Sequence, residues 1–311
     1  MSQQSVRNKH LKQTIDHAKV YLDDGEDIPV ELFFNLVNEL KVSNLIIPLC
    51  EDSDGITFEN VNFEEDDLTF MPLFTDIDEY DAYIEKDSEF NTVTFDFRQY
   101  VDLVKESELD GIIINIEGKH LPLENDLLEN IYFESDIADE SDVEAYTASE
   151  LKDLSQNVSN DSLVELLTSD GKITTDQLFA ELSNSVMLNV IVSDEPLDEF
   201  ATDGIIKADD VDGFTLCNVE NGDILLGGIF TDLDSVKAVT ADLDTNCYVQ
   251  VTNLAELFDF ALRNDMDGVI INANTLDCII LREDILSQAS GIEIIVENPK
   301  FRNCLDYAFM I

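Results

Sequence analysis

Two sets of polar residues stand at matched places in the chain: Thr75, Asp76, Asp110 and Asn115 in the first half, and Thr231, Asp232, Asp267 and Asn272 in the second. A hydroxyl, two carboxylates and a carboxamide gathered at strand ends could line a polar crevice, where α/β sheets favour ligands. The same residue types also serve structure. Thr or Asp ahead of a helix accepts from its free amides. Asp before Gly makes a turn, and Asn satisfies exposed backbone where a strand stops. The structural uses are the commoner ones.

Other chemistry finds little to build on. Against a calcium loop, Gly55 at the sixth position puts Cys50 first and Val61 twelfth, and Gly213 puts Ala208 first and Val219 twelfth. Asp242, Asp244 and Asn246 open with the right spacing, but Cys247 and Asn253 stand where Gly and Glu are needed. There is no Gly-x-Ser-x-Gly elbow, no Gly-x-Gly-x-x-Gly turn and no phosphate-binding Gly-Lys loop. His10, His17 and His120 are the only histidines. Cys50, Cys217, Cys247, Cys278 and Cys304 have no metal or redox spacing and read as reduced, mostly buried thiols. These observations predict no cofactor, no metal and no catalytic residue.

The elements that position the candidate residues recur. Asp110-Gly111-Ile112-Ile113-Ile114-Asn115 reappears as Asp267-Gly268-Val269-Ile270-Ile271-Asn272. Three consecutive β-branched residues predict a strand buried on both faces. Leu73-Phe74-Thr75-Asp76 answers Ile229-Phe230-Thr231-Asp232, and Leu123 to Leu128 answers Leu281 to Leu286. Leu32-Phe33 and Leu36 answer Leu178-Phe179 and Leu182. Matches in the same order predict an internal duplication. The expected fold class is α/β (α+β), in two similar domains that each pack a mixed sheet with helices. The expected boundaries are a basic helical segment at 1–26, a first domain at 27–133, an acidic linker at 134–161 and a second domain at 162–311.

The order of these elements resembles the SseB N-terminal domain family, in two tandem copies. In that family a Phe-Thr element precedes a helix, as at Phe74-Thr75 and Phe230-Thr231, and a strand ends in Asn-Pro. Here Asn115 and Asn272 are followed by Ile116 and Ala273 instead of Pro. The resemblance implies an accessory or regulatory module without agreed catalytic residues.

Charge narrows the partners. Against 68 Asp and Glu there are 17 Lys and Arg, a net charge of −51, yet 44% of residues are hydrophobic, enough for ordinary cores. Binding to nucleic acid or to an anionic membrane through a basic patch is disfavoured. The acidity fits a protein in a salt-rich cytosol; the sharper alternative is an acidic mimic of nucleic acid that occupies a basic partner. The chain has no apolar run of membrane length and no signal-peptide core, so a cytoplasmic location is expected. A non-catalytic protein-binding module is therefore the expected function. The alternatives are a small-ligand site or enzyme with a crevice near Asn115 and Asn272, and the acidic decoy. Oligomeric state is not legible.

Overall fold

The computed structural model describes residues 6–52, 55–63, 68–84, 91–107, 109–116, 120–128, 145–169, 171–211, 215–241, 243–288, 299–301 and 304–311. The turn expected at Gly118, the acidic stretch 134–144 and the apolar run Ile294–Val296 lie outside these residues. The protein is of the α/β class, with mixed sheets. It divides into two compact units, with the described residues to Leu128 in the first and those of Ala145–Leu262 and from Met266 on in the second. No helix among the described residues is long and apolar enough to cross a membrane.

In the first unit, α1 (Lys9–Asp23) precedes α2 (Val30–Val42). The segment expected as a basic helix carries an apolar stripe: Leu11, Ile15 and Ala18 are buried at helical spacing. Pro29 sits one residue ahead of α2 as its N-cap, where a missing amide hydrogen costs nothing. Then come β1 (Leu45–Asp52), β2 (Gly55–Phe58), β3 (Val61–Phe63), β4 (Leu68–Leu73), α3 (Ile77–Tyr83), β5 (Asn91–Phe95), α4 (Phe97–Glu106), β6 (Gly111–Ile114) and β7 (Leu121–Glu124). Asp96 and Gln99 start α4 with a reciprocal capping box.

The strands form one sheet in the order β2-β1-β5 and another in the order β3-β4-β6-β7. Ile46 and Phe74 exchange both backbone hydrogen bonds at 2.9 Å, which joins β1 to β4. β6 runs parallel to β4 and antiparallel to β7, so the Asp-Gly strand is interior and all four of its residues are buried. Ile113 is 1% exposed. The main core combines Leu11 and Ile15 of α1, Leu36 and Leu40 of α2, Tyr100 and Val104 of α4, and Ile112 and Ile114 of β6.

The second unit begins with α5 (Ala148–Asn157), α6 (Asp161–Thr168) and α7 (Thr175–Ser183). Within the stretch expected as an acidic linker, α5 is a full ten-residue helix, started by a Thr147–Glu150 capping box, with Leu151 buried in this unit's core. Next are β8 (Val186–Ser193), β9 (Ile205–Lys207), β10 (Thr215–Leu216), β11 (Asn218–Asn221), β12 (Ile224–Phe230), α8 (Leu233–Thr240), β13 (Asn246–Asn253), α9 (Leu254–Arg263), β14 (Gly268–Ile271), β15 (Cys278–Leu281), α10 (Arg282–Gln288) and β16 (Tyr307–Met310). One sheet runs β15-β14-β12-β8-β13-β16-β9, with β10 on β8 and β11 on β12.

Pairings in the two units correspond strand by strand. β4 is parallel to β6 from Phe70 opposite Gly111, and β12 is parallel to β14 from Leu226 opposite Gly268. β1 pairs with β5 at Ile47–Val93, and β8 pairs with β13 at Asn189–Gln250. The second unit adds β16 and β9 beyond β13.

Candidate functional site

The candidate residues do not form one cluster. Asp110 stands at the start of β6 and Asn115 just past its end, roughly 16 Å apart along a strand that rises about 3.3 Å per residue. Thr75, Asp76 and Asn115 meet at one end, and Asp110 serves the other. The same division holds for Thr231, Asp232 and Asn272 against Asp267.

At the Asn end, the first unit makes a reciprocal latch. The Thr75 amide donates to Asn115 Oδ1 at 3.0 Å, and Asn115 Nδ2 donates to the Thr75 hydroxyl at 2.9 Å. The second unit repeats it between Thr231 and Asn272 at 2.9 and 2.7 Å. All four residues are buried. Parallel strands β4 and β6 end together here, and the carboxamide takes up backbone that the ladder no longer pairs. Asn suits the place for a second reason. Asn115 and Asn272 have φ of 55° and 49°, the left-handed region that Asn tolerates better than other residues with a Cβ.

Asp76 and Asp232 are N-caps. Asp76 Oδ1 accepts from the Glu79 amide at 2.9 Å and starts α3; Asp232 Oδ1 accepts from the Ser235 amide at 2.7 Å and starts α8. In the first unit Lys12 of α1 bridges Asp76 at 3.1 Å and Glu79 at 2.6 Å. Burial works against charge on Asp76, but the Glu79 amide, Lys12 and the Thr75 hydroxyl outweigh it, so its carboxyl sits below the usual range. Burial is likewise outweighed at Asp232 by the Ser235 amide and the Thr231 and Ser235 hydroxyls. Both caps stabilise above the ordinary carboxylate range, and that stability is lost as pH falls through their lowered values.

At the other end, the Asp110 carboxylate accepts from the Thr69 amide at 2.7 Å and that of Asp267 from the Leu225 amide at 2.8 Å. Each also donates its own amide back, Asp110 to the Thr69 carbonyl and Asp267 to the Leu225 carbonyl, which seals the first rung of the parallel ladder.

A third partner was not among the residues predicted from sequence. Asn8 Nδ2 donates to the carbonyls of Asn44 and Thr75 at 2.7 and 2.8 Å; Asn160 Nδ2 donates to those of Val186 and Thr231 at 2.6 and 2.8 Å. Asn8 is the N-cap residue of α1 and Asn160 of α6, and neither side chain caps its own helix. The available signal is an Asn three residues before a leucine that is fully buried in each unit, Leu11 and Leu163.

The second unit also holds a polar seam where the first is apolar. Asn189 is 1% exposed, and neither end of its carboxamide has a partner among the described residues. Opposite it, Gln250 Nε2 donates to the Leu305 carbonyl at 2.6 Å, tying down the segment that leads into β16. The matching pair in the first unit is Ile47 and Val93. Near Leu305, burial and the carboxylates of Asp259 and Asp306 raise the Glu256 carboxyl to about 7. Its Oε1 is buried without a partner among the described residues. A raised acid favours the folded state while it stays protonated. The contribution is complete below the ordinary carboxylate range and is lost as pH rises through about 7. Glu256→Gln is therefore expected to raise the melting temperature at pH 8 and leave it nearly unchanged at pH 4; an equal shift at both would refute a protonated Glu256.

An open groove of about 610 Å³ lies between α6 and α7, lined by Ser162, Glu165, Gln177 and Glu181 among others, and by none of the candidate residues. Burial pushes the Cys217, Cys278 and Cys304 thiols up, which lowers their thiolate fraction. No protein-family model, no curated protein and no solved structure matches this chain.

Proposed function

We propose that the chain is a cytoplasmic, non-catalytic interaction or regulatory module that binds another protein, uses no metal or cofactor, and is built from two SseB-like domains by internal duplication. One observation carries this reading. The polar residues that both halves keep, Thr75 with Asn115 and Thr231 with Asn272, spend their hydrogen-bonding atoms on each other and on neighbouring groups of the chain. A catalytic or ligand crevice needs such groups turned toward a substrate; here they close strand ends. The matched registers of β4–β6 and β12–β14 support the duplication. A net charge of −51 favours a second reading, the acidic decoy for a basic partner.

The test is a pull-down from native lysate with the full chain, repeated in molar potassium chloride. A defined partner retained in salt is expected. A basic partner lost in salt would favour the decoy, because screening removes long-range attraction between exposed charges. Recovery of no protein would reject the module and return attention to a small ligand.

A further inference from the structure

The two units treat one corresponding sheet edge differently. β13 of the second unit pairs on one side with β8 and on the other with β16, antiparallel, with Val249 opposite Phe309 and Tyr248 opposite Met310. Ala308 and Phe309 are fully buried there. β5 is the counterpart of β13 in the first unit, since Ile47–Val93 stands where Asn189–Gln250 does. Among the described residues β5 pairs with β1 alone.

The residues of β5 are those of an edge built to be paired. Asn91-Thr92-Val93-Thr94-Phe95 contains no lysine, no other charge and no proline, the devices that blunt exposed edges. Val93 and Phe95 are only half-buried against the core, with the Phe95 ring 6.2 Å from that of Phe58. An added strand would cover them further. The second unit's own arrangement supplies the chemistry of the occupant: β16 reads Tyr-Ala-Phe-Met, apolar on both faces. One difference refines it. Gln250 grips an incoming backbone carbonyl, whereas Val93 presents only methyl groups, so the matching position on the occupant must offer an apolar side chain. Charge decides between sources. A second copy would bring another −51, whereas a basic segment is attracted.

We propose that the outer edge of β5 receives an extended segment of a partner protein, apolar along the strand and flanked by Lys or Arg, as an added antiparallel strand. This rests on the interaction-module reading and gives it a surface.

The experiment uses the full chain and one probe, a synthetic peptide of the Leu305–Ile311 sequence with three lysines added at each end. Hydrogen exchange of the β5 amides is expected to slow at least tenfold when the peptide binds. Thr94 is exposed, so Thr94→Lys is expected to keep the wild-type melting temperature while weakening the peptide tenfold or more, through the edge charge and its repulsion of the flanking lysines. Full protection of the β5 amides in the free chain would overturn the proposal, because the edge would already be occupied. So would peptide binding that Thr94→Lys leaves unchanged, or a dimer that this substitution dissolves, which would make a second copy the occupant. A salt-resistant partner that binds wild type and Thr94→Lys equally would overturn the edge alone and leave the interaction module standing.

Discussion

Gly111→Ala is expected to unfold the first unit and to leave the second folded. A Cβ at Gly111 would collide with the carbonyl oxygen of Leu123 and lie 3.0 Å from the Glu124 Cα. Both obstacles are backbone of β7, held in register with Gly111 opposite Glu124, and β6 is pinned from its other side by β4. No flexible side chain is there to give way. Backbone overlap of this kind belongs to the large-effect class of substitutions, about 4 kcal/mol or more, against a stability of roughly 5–15 kcal/mol for an ordinary domain. Gly268→Ala should do the same to the second unit, through the Ile280 carbonyl. The main core of the first unit and that around Leu188 and Phe309 in the second share no residues, so urea unfolding of Gly111→Ala should retain one transition and lose the other. An unchanged two-unit profile would refute the tight β6–β7 approach.

Asn115→Ala is expected to cost about 3 kcal/mol in the first unit. Two terms add. The left-handed backbone at φ 55° costs an alanine roughly 1–2 kcal/mol, and the buried Thr75 amide loses its acceptor, about 1–3 kcal/mol for a polar group left unsatisfied. Asn115→Gly separates them, since glycine accepts the backbone but restores no hydrogen bond; it should recover about 1 kcal/mol relative to alanine. Equal losses in both variants, measured by denaturant midpoint at constant slope, would show that backbone conformation contributes nothing and the latch everything.

The parts of the fold legible in the sequence were those with a local cause. The Asp-Gly turn and three β-branched residues mark an interior strand because sterics and burial both act within six residues. Asp76 and Asp96 announce helix starts for the same reason: a carboxylate reaches amides three residues on. What sequence could not supply is distance between segments. Asp110 and Asn115 look like one polar set until the strand between them is extended, and only then do they serve opposite ends. The Asn8–Thr75 contact spans 67 residues, and the one local signal, an Asn three residues before a buried leucine, names no partner. Asn189 sits in an apolar run, Leu188 to Val192, where a single amide reads as an outward residue; its register opposite Gln250 is a property of the sheet. Acidic neighbours hid only the full length of the helix at Ala148–Asn157, although Thr147 and Glu150 carry a capping box.

The tie from Asn8 to Thr75, with Thr75 itself held by Asn115, also sets an order of assembly during synthesis. Asn8 emerges first from the ribosome, but the carbonyl it grips is fixed only after Asn115 has followed, 107 residues later as the numbering runs. At roughly 5–20 residues per second that is an interval on the order of 5–20 s. Throughout it, the stripe of Leu11, Ile15 and Ala18 on α1 has no finished core to join. Helix α1 is thus made well before it is locked, and over that interval its apolar ridge is open to holding chaperones.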